Sequence, residues 1–176
     1  MTEVTIKPHH FLDIIKLYGG GITCFVRDET YQHDFYRIAN LVLADHQLPV
    51  RLTVHGDDIC LPCRYYSRQG EGVCSDSIAH IPDLASKDEW NKILDNRIIR
   101  MVVPDSGAVY TAEEFCRLLY DHRDDIYEIW KEDDAGKTKE RFRLFCAGAV
   151  RYLGLNAGIA GEHQEIRDNE VAGDAD

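Results

Sequence analysis

Cys60, Cys63 and Cys74 stand in a stretch broken by Gly56, Pro62, Gly70 and Gly72, where neither a long helix nor a long strand can run. Cys60-Leu61-Pro62-Cys63 puts two thiols on one tight turn, and Cys74 returns through the flexible Gly70-Glu71-Gly72. Asp57, Asp58, Arg64, Ser67, Arg68 and Gln69 make the surroundings polar, so these thiols are poor core residues. Thiolates so spaced suit zinc or iron, and a cation held by them would fix this part of the fold. Cys146, on an apolar helical stripe, is expected in the core, whereas Cys116 reads as core or partly exposed.

Three thiolates leave a fourth position, for which His9, His10, Asp13, Cys24 and His80 are the candidates. His9 and His10 follow Pro8 directly and lie four and three residues before Asp13, within reach of a carboxylate that orients a ligating imidazole. If the fourth position stays open, Asp13, Asp57, Asp58 and Asp76 are available as acid or base for a metal-dependent enzyme. Asp57-Asp58 also reads simply as a turn closing a strand. Cys-x-Pro-Cys after a strand further allows dithiol exchange, although Gly70 comes too soon for the long helix such chemistry uses.

The fold class read from the pattern is mostly α with a small β element. One domain over residues 1–160 carries the cysteine-rich loop, and residues 161–176 form an acidic, disordered tail. Pro8 opens a helix whose Phe11, Ile14, Ile15 and Tyr18 share a face, and Gly19-Gly20-Gly21 stops it. A second helix is expected over 29–45, capped by Asp28 and buried through Tyr31, Phe35, Ile38 and Val42. Val50–Val54 alternates as a strand does. Ser86-x-x-Glu89 and Thr111-x-x-Glu114 read as capping boxes, a short helix is expected around Ile126 and Trp130, and a last one runs over 138–153 to Gly154.

The formal charge is −11, from 20 basic and 31 acidic side chains, which disfavours a phosphate backbone as partner. No signal-like or bilayer-spanning run is present, so a cytoplasmic protein that meets no nucleic acid and no membrane is expected. The nucleophile-elbow, P-loop and dinucleotide patterns are missing from the sequence. A redox or protein partner is the remaining expectation, with Trp130, Tyr120, Tyr127 and Phe115 read as core before docking face.

Lys7-Pro8-His9-His10 together with Gly56-Asp57-Asp58-Ile59-Cys60 resembles the bacterial and archaeal family called domain of unknown function 1284, described as iron–sulfur-binding. The likeness covers roughly residues 5–80 and implies His9, His10, Cys60, Cys63 and Cys74 as the metal-binding set. The family often has a cysteine where this chain has Asp13, which leaves the fourth ligand open here. Spacing alone favours zinc and the family description a cluster; the two together set an iron–sulfur cluster as the expectation, with zinc a close alternative.

Overall fold

Pro at the first helical position sacrifices no hydrogen bond, and α1 (Pro8–Gly19) begins there, directly after strand β1 (Val4–Ile6). In the computed structural model, which describes residues 3–81, 84 and 86–155, α1 is the central element. Its Phe11, Leu12, Ile14 and Ile15 are fully buried. Helix α2 (Phe35–Ala44) then returns the chain to β2 (Pro49–Leu52), which pairs parallel to β1 in the register Val4↔Val50 and Ile6↔Leu52. On the far side of β2, β5 (Val109–Thr111) runs antiparallel, giving the strand order β1-β2-β5. Val4, Ile6, Val50 and Leu52 all point into the same core, as the two-residue period of strands requires.

Between β2 and helix α3 (Lys87–Val102) the chain makes a polar excursion containing a two-stranded hairpin, β3 (Tyr66–Ser67) and β4 (Val73–Cys74). The excursion is fastened to the first strand: Asp58 N donates to Thr5 O at 3.0 Å, and Thr5 N donates to Asp58 Oδ2 at 2.8 Å. The loop after β2 is thereby laid across the start of α1. Beyond β5 come α4 (Ala112–Asp121), a 3₁₀ turn at Arg123–Asp125, α5 (Ile126–Ile129) and α6 (Ala135–Tyr152). The architecture is mostly α with a small β element, as expected. No helix among the described residues is long and apolar enough to cross a membrane.

Local chemistry explains where helices start. Thr111 and Glu114 form a complete capping box, and Ser86 Oγ accepts from Glu89 N at 3.1 Å. The second helix is shorter than expected. Asp28 accepts from Thr30 N and Tyr31 N and Gln32 N bonds Asp28 O, but Gln32 at φ +58° ends that single turn. The helix begins only at Phe35, after Asp34. The expected acidic tail, 161–176, lies outside the described residues.

Gly19 does more than stop α1. A Cβ there would lie 1.9 Å from Leu144 O, and one on Gly148 would lie 1.9 Å from Ile15 O. The backbones of α1 and α6 therefore touch at this crossing, which only two glycines permit. Gly148→Ala is expected to cost about 2 kcal/mol or more by overpacking. At this chain length that is a fall in melting temperature of roughly 5 °C, read by calorimetry; an unchanged melt would contradict so close a crossing.

Candidate metal centre

The site is organised by Asp57, a carboxylate on the loop after β2 that is almost wholly removed from solvent. Its Oδ2 accepts from Lys7 N at 2.9 Å and from His10 Nδ1 at 2.7 Å, and its Oδ1 accepts from Cys60 N at 2.9 Å. Burial opposes the charge, but His10, the Lys7 amide and the Lys7 ammonium more than offset it, holding the carboxyl far below the usual range. One residue thus ties the β1–α1 junction, the first turn of α1 and the cysteine turn to each other. The carboxylate on Nδ1 also fixes the His10 ring and leaves its Nε2 lone pair free. Burial pushes the His10 pKa down, so the imidazole is neutral near pH 7, the form that binds a metal.

A His10 nitrogen, an Asp57 oxygen and Cys60 Sγ all lie within 4.8 Å of one another. Cys63 and Cys74 are not in that trio, yet they line, with His10 and Cys60, one small cavity of about 60 Å³. Cys74 reaches it from β4, where its N–H donates to Asp88 Oδ1 at 3.0 Å. Burial and then the Asp57 charge drive the Cys60 thiol well above its ordinary pKa, and burial raises Cys74. Lys7 Nζ stands 3.6 Å from Cys60 Sγ, in a residue otherwise buried. Burial disfavours that ammonium, and Cys60, Asp57 and Asp95 outweigh the penalty, so Lys7 stays charged.

The other candidates sit elsewhere. His9 does not line the thiol cavity: its Nδ1 lies 2.8 and 2.9 Å from the two Asp95 oxygens, and its N–H donates to Asp95 Oδ1 at 2.9 Å. Successive helix residues point about 100° apart, so His9 faces α3 while His10 faces the cysteine loop. Asp13, expected to orient a histidine, pairs with Lys16 instead. Cys24 is exposed, Cys116 is buried in the core, and Cys146 packs partly buried against it. His80 lines a larger cleft of about 700 Å³ beside the thiol cavity, as do His9 and His10.

Two organising residues escape a reading of the sequence. Asp95, which holds His9, has no local signal, because 86 positions separate the pair. Asp57 was legible only as a turn residue or acid; its place three residues before Cys60 was the available clue. No family model, curated protein or solved structure matches the chain.

Asp57→Asn puts an amide N–H among three N–H donors and removes a buried charge. A loss of about 3–5 kcal/mol is expected at neutral pH, measured by denaturant unfolding. Because the folded-state pKa of Asp57 is depressed, its contribution is complete above the unfolded carboxyl value of about 3.9 and is lost as pH falls further. The gap between wild type and variant should therefore close as pH falls below that value. A gap undiminished in strong acid would contradict the assignment.

Proposed function

We propose that the protein binds a thiophilic metal through Cys60, Cys63 and Cys74, with His10 as the fourth ligand. The observation that carries this reading is the shared cavity: all four side chains line it, and the His10 ring is held there by the buried Asp57 carboxylate. The donor set fits a metal. A neutral imidazole on α1, two thiols from the loop after β2 and one from β4 supply borderline and soft donors, and a carboxylate–histidine pair backs the imidazole. Cys60, Cys63, Cys74 and His10 would hold the ion, which would link the start of α1 to the loop and hairpin that follow β2.

Zinc is the better match of the two metals expected. A cluster prefers four thiolates, and the remaining cysteines, Cys24, Cys116 and Cys146, are not among the residues lining the cavity. Three cysteines and one histidine make a complete zinc set. The resemblance to the iron–sulfur family keeps a cluster as the specific alternative. Dithiol exchange fits less well, since a thiol whose pKa is raised, as at Cys60, is a weak nucleophile at neutral pH.

Protein purified anaerobically is expected to be colourless and to carry one equivalent of zinc by elemental analysis. A brown preparation with a band near 400 nm, bleached by dithionite, would replace zinc by a cluster. Cys60→Ala and Cys63→Ala should each lower metal content and melting temperature together; full metal in both would overturn the site.

Zinc uptake should also release protons, because thiols must ionise to ligate. The apparent affinity then climbs between about pH 6 and 8. Titration in weakly buffered indicator solution measures this, and uptake without proton release would contradict thiolate ligation.

A further inference from the structure

The cleft of about 700 Å³ joins the thiol cavity through residues that line both, among them His10, Tyr31 and Lys87. Its volume is that of a site for a small organic molecule. Most of its wall charges are arranged alike. Lys87 pairs with Asp76 at 2.7 Å, the lysine side chain 37% exposed and the carboxylate 16%. Arg141 pairs with Asp133 at 3.1 Å, the guanidinium 16% exposed and the carboxylate 4%. Behind His9 and His10 stand Asp95 and Asp57, both 0% exposed. In these four pairs the nitrogen donor is in front and the carboxylate behind; in the fifth, Lys16–Asp13, the carboxylate is the more exposed.

Such an arrangement fixes these groups in place and neutralises most of the cost of gathering them, and at Lys87 and Arg141 it leaves N–H groups for the cleft. Donors remain unused: Arg141 Nη1 is buried and has no hydrogen-bond partner among the described residues. The floor is aromatic. Trp90 and Trp130 both line the cleft, and the Arg141 guanidinium lies 4.7 Å from the Trp130 ring centre. Both indoles are nearly buried, 5% and 3% exposed, so they offer the opening little surface and the held cations, suited to an oxyanion, carry the recognition.

We propose that this cleft is a binding site for a small organic acid, its carboxylate or phosphate drawn to the Lys87 and Arg141 donors within reach of Trp90 and Trp130. The proposal goes beyond the metal reading and does not depend on it, since none of Lys87, Arg141, Trp90 and Trp130 is a proposed ligand.

The chain's two tryptophans both line the cleft, so intrinsic fluorescence reports its occupancy directly. The probes are benzoate, phenyl phosphate and the uncharged benzamide. At least one anion is expected to give a saturable change with affinity about tenfold or more above that of benzamide, as a charge-assisted hydrogen bond requires. Which anion binds more tightly separates a carboxylate site from a phosphate site. Lys87→Gln and Arg141→Lys should each weaken that anion about tenfold or more. Arg141→Lys keeps a cation beside Asp133, and Lys87 is the more exposed partner of its pair, so at least one folded variant is expected by thermal melt.

The proposal is overturned if neither anion saturates, if benzamide binds as well as both, or if the folded variants bind like wild type. Metal content is measured on the same samples, so a missing anion response beside a full metal complement sinks the cleft assignment alone.

Discussion

A single buried carboxylate holds the region of interest together. Asp57 accepts from one backbone amide and one imidazole at the start of α1 and from one amide of its own turn, and almost no solvent reaches it to substitute for them. Removing one partner from a buried charge leaves the others uncompensated, which is why such a residue binds its surroundings into one unit. The same contacts set the chemistry. They orient His10, position the Cys60 turn by its amide, and keep a negative charge beside a buried thiol, so that Cys60 stays protonated at neutral pH.

The scaffold around this carboxylate is rigid where it needs to be. The start of α1 is pinned to β1 and the cysteine loop, and its end to α6 by the glycine crossing at Gly19 and Gly148. Histidines on adjacent positions then serve two walls of one opening: His10 turns to the thiols and His9 to Asp95 on α3. Their ring centres are 4.3 Å apart, so the thiol cavity and the cleft are neighbours built on one helical turn.

Much of the fold is legible in the chain because it is written locally. Pro8 with its apolar stripe, and the Thr111 box, specify helix starts within four residues. Asp28 misled for the same reason: its carboxylate caps a turn, and the left-handed Gln32 that ends the turn has no signature. Strands β1 and β5, three residues each, exist through partners on β2 and carry too little pattern of their own. At the site, the cysteines announce themselves by type and spacing, whereas the carboxylates that hold the histidines do not. Asp57 and Asp95 meet them across 47 and 86 positions, and only the assembled core brings them together. Adjacent histidines look like a pair in sequence, and helical geometry divides them.

The central claim is that one cation sits among these sulfurs and the His10 ring. X-ray absorption at the zinc edge of freshly purified protein tests it most directly. Sulfur neighbours at about 2.3 Å with one nitrogen at about 2.0 Å are expected. A first shell of oxygen and nitrogen alone, or no metal to absorb, would contradict it.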